Sequence, residues 1–233
     1  AFNSCTGLQS TGLESNSTVL GIGMYAFMHC DNLRSTGLEH NSTVLGIGEY
    51  AFYYCTNLED TGLASNSSVL QIKDYAFGHC EKLKSFVIRG DSIPVFGKDV
   101  FSNVADDFAV YYPVMVTNGS IREVSNGKRM ENSVTNGASV TIRSDDAPAG
   151  MEFQEWTVDH GNIVLTPANS ETATFTMIED AVKVSATYKE LTYALSIQTE
   201  DGGTVTGTAS GQYAAGTPIT LKAIPNSNYK FDG

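Results

Sequence analysis

Residues 26–50, AFMHCDNLRSTGLEHNSTVLGIGEY, are repeated almost unchanged on either side of themselves. Ala1, Ala26, Ala51 and Ala76 open four consecutive copies with a period of 25 residues, and Cys5, Cys30, Cys55 and Cys80 hold one common position within them. A fixed period of this length marks a stacked-repeat architecture. Within a copy, Leu33, Leu38, Val44, Ile47, Ala51, Phe52 and Cys55 have equivalents in the others. Leu33-x-x-Thr36-x-Leu38 alternates like a short strand. Tyr50–Cys55 reads as one helical turn, with Phe52, Cys55 and Leu58 three apart on one face. A handful of buried apolar side chains cannot offset the conformational entropy of a whole ordered copy. A copy therefore folds only by sharing buried faces with its neighbours, as a solenoid.

The pattern AFxxCxxL…VxxIGxxAF, carried by Phe27, Cys30, Leu33, Val44, Ile47 and Gly48, resembles the BspA-type, or treponemal, leucine-rich repeat of bacterial surface proteins. The resemblance covers residues 1 to 113 and implies a right-handed α/β solenoid with a short strand and a short helical turn per coil. Two departures change the surface a ligand would meet. Thr11, Thr36 and Thr61 stand where the family has Ile, with an apolar residue returning only at Phe86. The usual proline is Glu14, Glu39 or Ala64, and the turn after it is longer. Copy four diverges, and a shorter coil from Ile93 to Val104 ends at Phe108–Pro113, as a closing repeat does.

From Val114 the period gives way to alternating runs, Ser139–Arg143, Met151–Asp159, Ala173–Met177 and Val182–Tyr188, punctuated by Asn-Gly, Gly-Asn and Asp-Gly. Gly137-x-x-Val140-x-Ile142, Gly150-x-x-Phe153-x-x-Trp156, Thr174–Met177 and Val184-x-Ala186-x-Tyr188 resemble the divergent internalin-type B repeat, which implies a small mainly-β, β-grasp-like stalk module. Tyr193–Ile197, Gly203–Val205, Gly216-x-x-Ile219-x-Leu221 and Tyr229-x-Phe231 restart the pattern, and Phe231–Gly233 aligns with Phe153–Glu155. The expected organisation is a solenoid with its closing coil over 1–113, one B-repeat module over 114–189 and the front half of a second over 190–233. Residues 190–233 are expected to be incompletely stabilised, and the chain reads as a segment of a longer protein.

The formal charge of −12 divides almost evenly, 12 acidic and 6 basic residues in 1–113 against 14 and 8 in 114–233. No basic patch exists to hold nucleic acid or anionic lipid, and no apolar run is long enough to span a bilayer. A cysteine recurring once per coil stacks on its equivalents as a small buried hydrophobe. Oxidising conditions could still pair neighbours, since adjacent strands lie ~4.8 Å apart.

No constellation for catalysis, cofactor or metal binding emerges. His29 and His79 share a position filled elsewhere by Ser4 and Tyr54, which reads as a surface role. The acidic pairs Glu59-Asp60, Asp106-Asp107, Asp145-Asp146 and Glu179-Asp180 lack calcium-loop spacing. Three features point to binding. Ser10, Ser35, Asp60 and Ser85, beside Gly12, Gly37, Gly62 and Val87, would form rows on the open face of the strand sheet if Leu33, Thr36 and Leu38 point inward. Asn16-Ser-Thr, Asn41-Ser-Thr and Asn66-Ser-Ser form a polar turn ladder that also fits the glycosylation sequon, as does Asn118-Gly119-Ser120. Arg89-Gly90-Asp91-Ser92 is the integrin-recognition tripeptide placed where a tight turn is expected.

The resemblance implies a monomeric, non-catalytic surface protein outside the bacterial cell, binding host matrix, host cells or other microbes through its solenoid and held out by its B repeats. The alternative reading is a targeting or spacer region of a larger surface hydrolase.

Overall fold

The computed structural model describes residues 1–14, 18–39, 43–63, 69–89 and 93–232. Short strands β1 (Gly21–Ile22), β2 (Gly46–Ile47) and β3 (Gln71–Ile72) recur once per coil, followed by β4 (Ser85–Val87) and β5 (Val95–Phe96). They form a parallel sheet in the order β1-β2-β3-β5 that aligns Ile22, Ile47, Ile72 and Phe96. Phe27, Cys30, Leu33, Leu38, Val44 and Ile47 are all buried, as are their equivalents in the next coil. Phe2, Phe27, Phe52, Phe77 and Phe101 stack ring on ring through this core, with centroids 5.5, 5.3, 5.3 and 5.8 Å apart. Each cysteine thiol beyond the first donates to a carbonyl of the coil before it: Cys30 to Phe2 at 3.1 Å, Cys55 to Phe27 and Cys80 to Phe52 at 3.2 Å. All four cysteines are free.

The expected α/β class is not what the chain adopts, because the described residues contain no helix. The segment read as a helical turn is a run of overlapping tight turns. In it Ala26, Met28 and Cys30 donate to the carbonyl three residues back, while Tyr25, Phe27 and His29 donate to Glu49, Ala51 and Tyr53 of the next coil. A helix would commit every N–H to its own segment; here every second one joins a ladder between coils. That alternation requires left-handed backbone at Tyr25 (φ 56) and His29 (φ 55), and at Tyr50, Tyr54, Tyr75 and His79 in turn. Such φ values cost non-glycine residues roughly 1–2 kcal/mol each. The ring stacks they create recover part of it, at ~0.5–1.5 kcal/mol per pair.

A second correction concerns the strand expected at Leu33–Leu38. The coils pair there only through an isolated bridge from Ser35 to Asp60. Thr-Gly is the reason. Thr11 Oγ1 donates to the Thr36 carbonyl at 2.8 Å and Thr36 Oγ1 to the Thr61 carbonyl at 2.6 Å, so a side chain takes the place of a backbone donor. Gly12, Gly37 and Gly62 come next at φ +73, +69 and +64, outside the strand region. Where Phe86-Val87 replaces Thr-Gly, β4 forms and pairs in parallel with the next long strand.

That strand, β6 (Ala109–Thr117), joins the coils to the downstream module. Its first residues pair with β4, Tyr111–Pro113 pair with β9 (Ser133–Thr135), and Val114–Thr117 pair with β13 (Val182–Glu190). With β7 (Gly119–Ser125), β8 (Arg129–Met130), β10 (Ser139–Ser144), β11 (Met151–His160) and β12 (Thr172–Thr176), these make two sheets, β11-β13-β6-β9-β8 and β12-β10-β7. The four strands expected from alternation are β10 to β13. Val140 and Ile142 of β10, Ala173 and Phe175 of β12, and Val182, Val184 and Ala186 of β13 are buried together with Trp156. Among the described residues no helix lies across either sheet, as a grasp-like fold would have, so that expectation is corrected too. Residues 191–232 carry two separate ribbons, β14 (Thr192–Leu195) with β16 (Gly211–Ala214) and β15 (Gly203–Gly207) with β17 (Leu221–Pro225). No side chain in this stretch is fully buried, and Tyr193, Leu221, Tyr229 and Phe231 are exposed.

Candidate functional site

In the row Ser10, Ser35, Asp60, Ser85, the first and third residues are exposed and Ser35 and Ser85 half-buried, and the polar atoms of the first three are engaged locally. The Gly12 and Gly37 N–H groups donate to Ser10 and Ser35 Oγ at 3.1 Å, and Gly62 N–H donates to Asp60 Oδ1 at 2.9 Å. Ser10 and Ser35 donate in turn to Glu14 and Glu39. The bond from Ser10 holds the Glu14 carboxyl below its usual range. This explains the acid that replaces the family's proline: Asp60 has no proton to donate, and four residues on the chain carries Ala64 instead of a carboxylate. Ser85 sits in β4.

Of the glycine row only Gly12, in the first coil, is exposed. Gly37 and Gly62 are buried, and a Cβ on them would meet Thr11 Oγ1 at 2.4 Å and Thr36 Oγ1 at 2.6 Å. Thr36 and Thr61 are buried as well, so these two threonines leave the surface a partner meets unchanged, while Thr11 is half-buried. Arg89 is exposed and ion-paired with Glu131, whose carboxyl it holds below the usual range. Gly90 and Asp91 lie outside the described residues, as do Ser92, His40 and the asparagines Asn16, Asn41 and Asn66.

Two surface features escaped the sequence reading. The first is an aliphatic row along the sheet: Leu20, Leu45 and Leu70, immediately before β1, β2 and β3, and Val95, the first residue of β5, are 67, 48, 58 and 64% exposed. Their backbones are laddered, Leu45 N–H to Leu20 O, Leu70 to Leu45 and Val95 to Leu70, at 2.9, 3.0 and 2.9 Å. The sequence signal was an apolar residue after each of the inward-facing Val19, Val44 and Val69, which on a strand must face outward. The second is a pair of aromatic columns. Tyr25, Tyr50 and Tyr75 stack at 5.4 and 5.1 Å, and His29, Tyr54 and His79 at 4.7 and 4.2 Å. Tyr53 meets Tyr50, Tyr54, Tyr75 and His79 edge-on. The position shared by Ser, His and Tyr is therefore a stacked, half-buried one.

The BspA type leucine rich repeat region matches residues 1–106 in six copies, and the divergent InlB B-repeat domain matches residues 112–192 and 193–233. The chain belongs to the divergent InlB B-repeat family, whose matches cover more than half of it, and carries BspA-type repeats upstream. No curated protein matches it. A leucine rich cell surface protein from Faecalibacterium prausnitzii A2-165 is similar at 22% identity over 43% of this chain and 31% of its own, with a TM-score of 0.28, too low to bear on the fold. In this BspA-type array the motif's Phe, Cys, Leu, Val and Ile are the buried wall, which leaves the exposed surface to residues between them. The B-repeat part contributes no apolar helix: among the described residues none is long and apolar enough to cross a membrane.

Proposed function

We propose that this chain is a non-catalytic adhesive segment displayed on a bacterial surface, in which the coil stack grips a protein partner and the B repeats hold it away from the cell. The observation that carries this reading is the aliphatic row Leu20, Leu45, Leu70 and Val95, exposed on a continuous parallel sheet. Apolar side chains in an unbroken exposed row favour burial against another protein. Each would contribute roughly 1.5–3 kcal/mol on full burial. The surface setting is supported by the two repeat families found in tandem. Host matrix proteins, host cells and other microbial surfaces are the partner classes.

The experiment immobilises the chain and measures attachment of epithelial cells, matrix proteins and co-resident bacteria. Leu45→Asp with Leu70→Asp should abolish capture of the true partner while the coils stay folded. Undiminished capture by this double variant would remove the row from the reading. Asp91→Glu, in parallel, tests Arg89-Gly90-Asp91 with integrin-bearing cells, and unchanged attachment would retire that tripeptide.

A further inference from the structure

β6 and β7 leave Asn118 in different sheets, and the gap between them is a cleft of about 520 Å³ lined by Arg89, Val114, Val116, Ile121, Arg129 and Ser133, among others. That volume lies within the roughly 300–1,000 Å³ of ligand pockets. One wall is an unfinished strand edge. β9 pairs with β6 only as far as Pro113, and Val114 N–H donates to the Asn132 carbonyl at 2.7 Å. Residues two apart on a strand present their backbone groups to the same edge. Val116 therefore turns its N–H and C=O into the cleft, where no described strand meets them. β7 is likewise the outermost strand of its sheet.

The other wall is cationic in a chain whose net charge is −12. Arg129 donates from Nε to the Glu131 carbonyl at 2.6 Å and from Nη1 to the Ile121 carbonyl at 3.4 Å. A guanidinium has five N–H donors in a planar fork, so donors remain for a ligand. Arg89 faces the same space, with Glu131 as its partner. Glu131 thus gives its carboxylate to Arg89 and its backbone carbonyl to Arg129, the two kinds of acceptor an acidic peptide carries.

We propose that this cleft binds an extended acidic peptide as an added strand, its backbone pairing with Val116 and an acidic side chain displacing Glu131 from Arg89. Strand addition of this kind takes affinity from the main chain and selectivity from side-chain pockets. The site is separate from the aliphatic row and survives if that row binds nothing.

The test is fluorescence anisotropy of a labelled peptide alternating Val and Glu, titrated with the full chain at low salt. Saturable binding is expected, with no binding of the Val/Lys counterpart. Arg89→Gln should weaken it about tenfold or more, the scale of a hydrogen bond to a charged group. Val116→Pro removes the edge donor at a position where an edge strand tolerates proline and should abolish binding, with Trp156 emission reporting that the module remains folded. Should that variant unfold, a Val/Glu peptide N-methylated at alternate amides replaces it, and must not bind. No binding of the Val/Glu peptide overturns the proposal. So does equal binding of poly-aspartate or a heparin fragment by wild type and Val116→Pro, which would mean anion capture without strand pairing.

Discussion

Thr36 Oγ1 donates to the carbonyl of Thr61, 25 residues further along the chain, at 2.6 Å. Both residues are buried, so the bond has no water to replace it. Thr36→Val keeps the shape and removes the donor, leaving a buried carbonyl unsatisfied at roughly 1–3 kcal/mol. The expected outcome is a lower thermal midpoint by circular dichroism, with Thr36→Ser losing less.

Phe52 lies between Phe27 and Phe77 in the ring stack and is fully buried, whereas Phe2 is half exposed. Phe52→Ala should cost about 3–5 kcal/mol, and Phe2→Ala only a fraction of that. Urea titration of the two variants checks the ordering; equal losses would contradict a core that closes over the middle coils.

Burial pushes the Cys55 thiol up from 9.0 to about 12, and Cys80 well above 9.0. The fold therefore favours the neutral thiol. The stability linked to it is fully present below pH 9 and is lost as pH rises toward 12. Urea midpoints should fall between pH 8 and pH 11, and fall less when Cys30, Cys55 and Cys80 are all alanine. At pH 8 iodoacetamide should label half-buried Cys5 first in the native chain.

A Cβ on Gly119 would meet the Arg143 carbonyl and Trp156 Cη2, both at 2.6 Å. Gly119→Ala must displace one or both. Trp156 is the single tryptophan, so its emission should shift red and its module should unfold at lower urea, while the coil stack upstream keeps its midpoint.

The period, the buried positions and the module's strands were legible because burial repeats in sequence. Leu33, Phe52 and Cys55 are inside wherever the chain between them goes. What filled that space was not legible. Burial three residues apart is produced equally by a helix and by overlapping turns, and only partners a coil away, such as Ala51 for Phe27, distinguish them. The alternation around Thr36 read as a strand because the pattern does not show a side-chain oxygen replacing a backbone donor. Of the surface, the engagement of Ser10 and Ser35 with Glu14 and Glu39 needed geometry. The Arg89–Glu131 pair spans 42 residues and leaves no local trace. The outward leucines were hidden in plain view, as variable letters between conspicuous ones.

β6 belongs to both halves of the molecule, laddered to β4 at one end and to β13 at the other. Tension applied along that shared strand would load its hydrogen bonds in shear, many together, instead of peeling them one at a time. A tether drawn taut between the coils and the B repeats would therefore resist at the seam itself, with no slack linker to take up the strain.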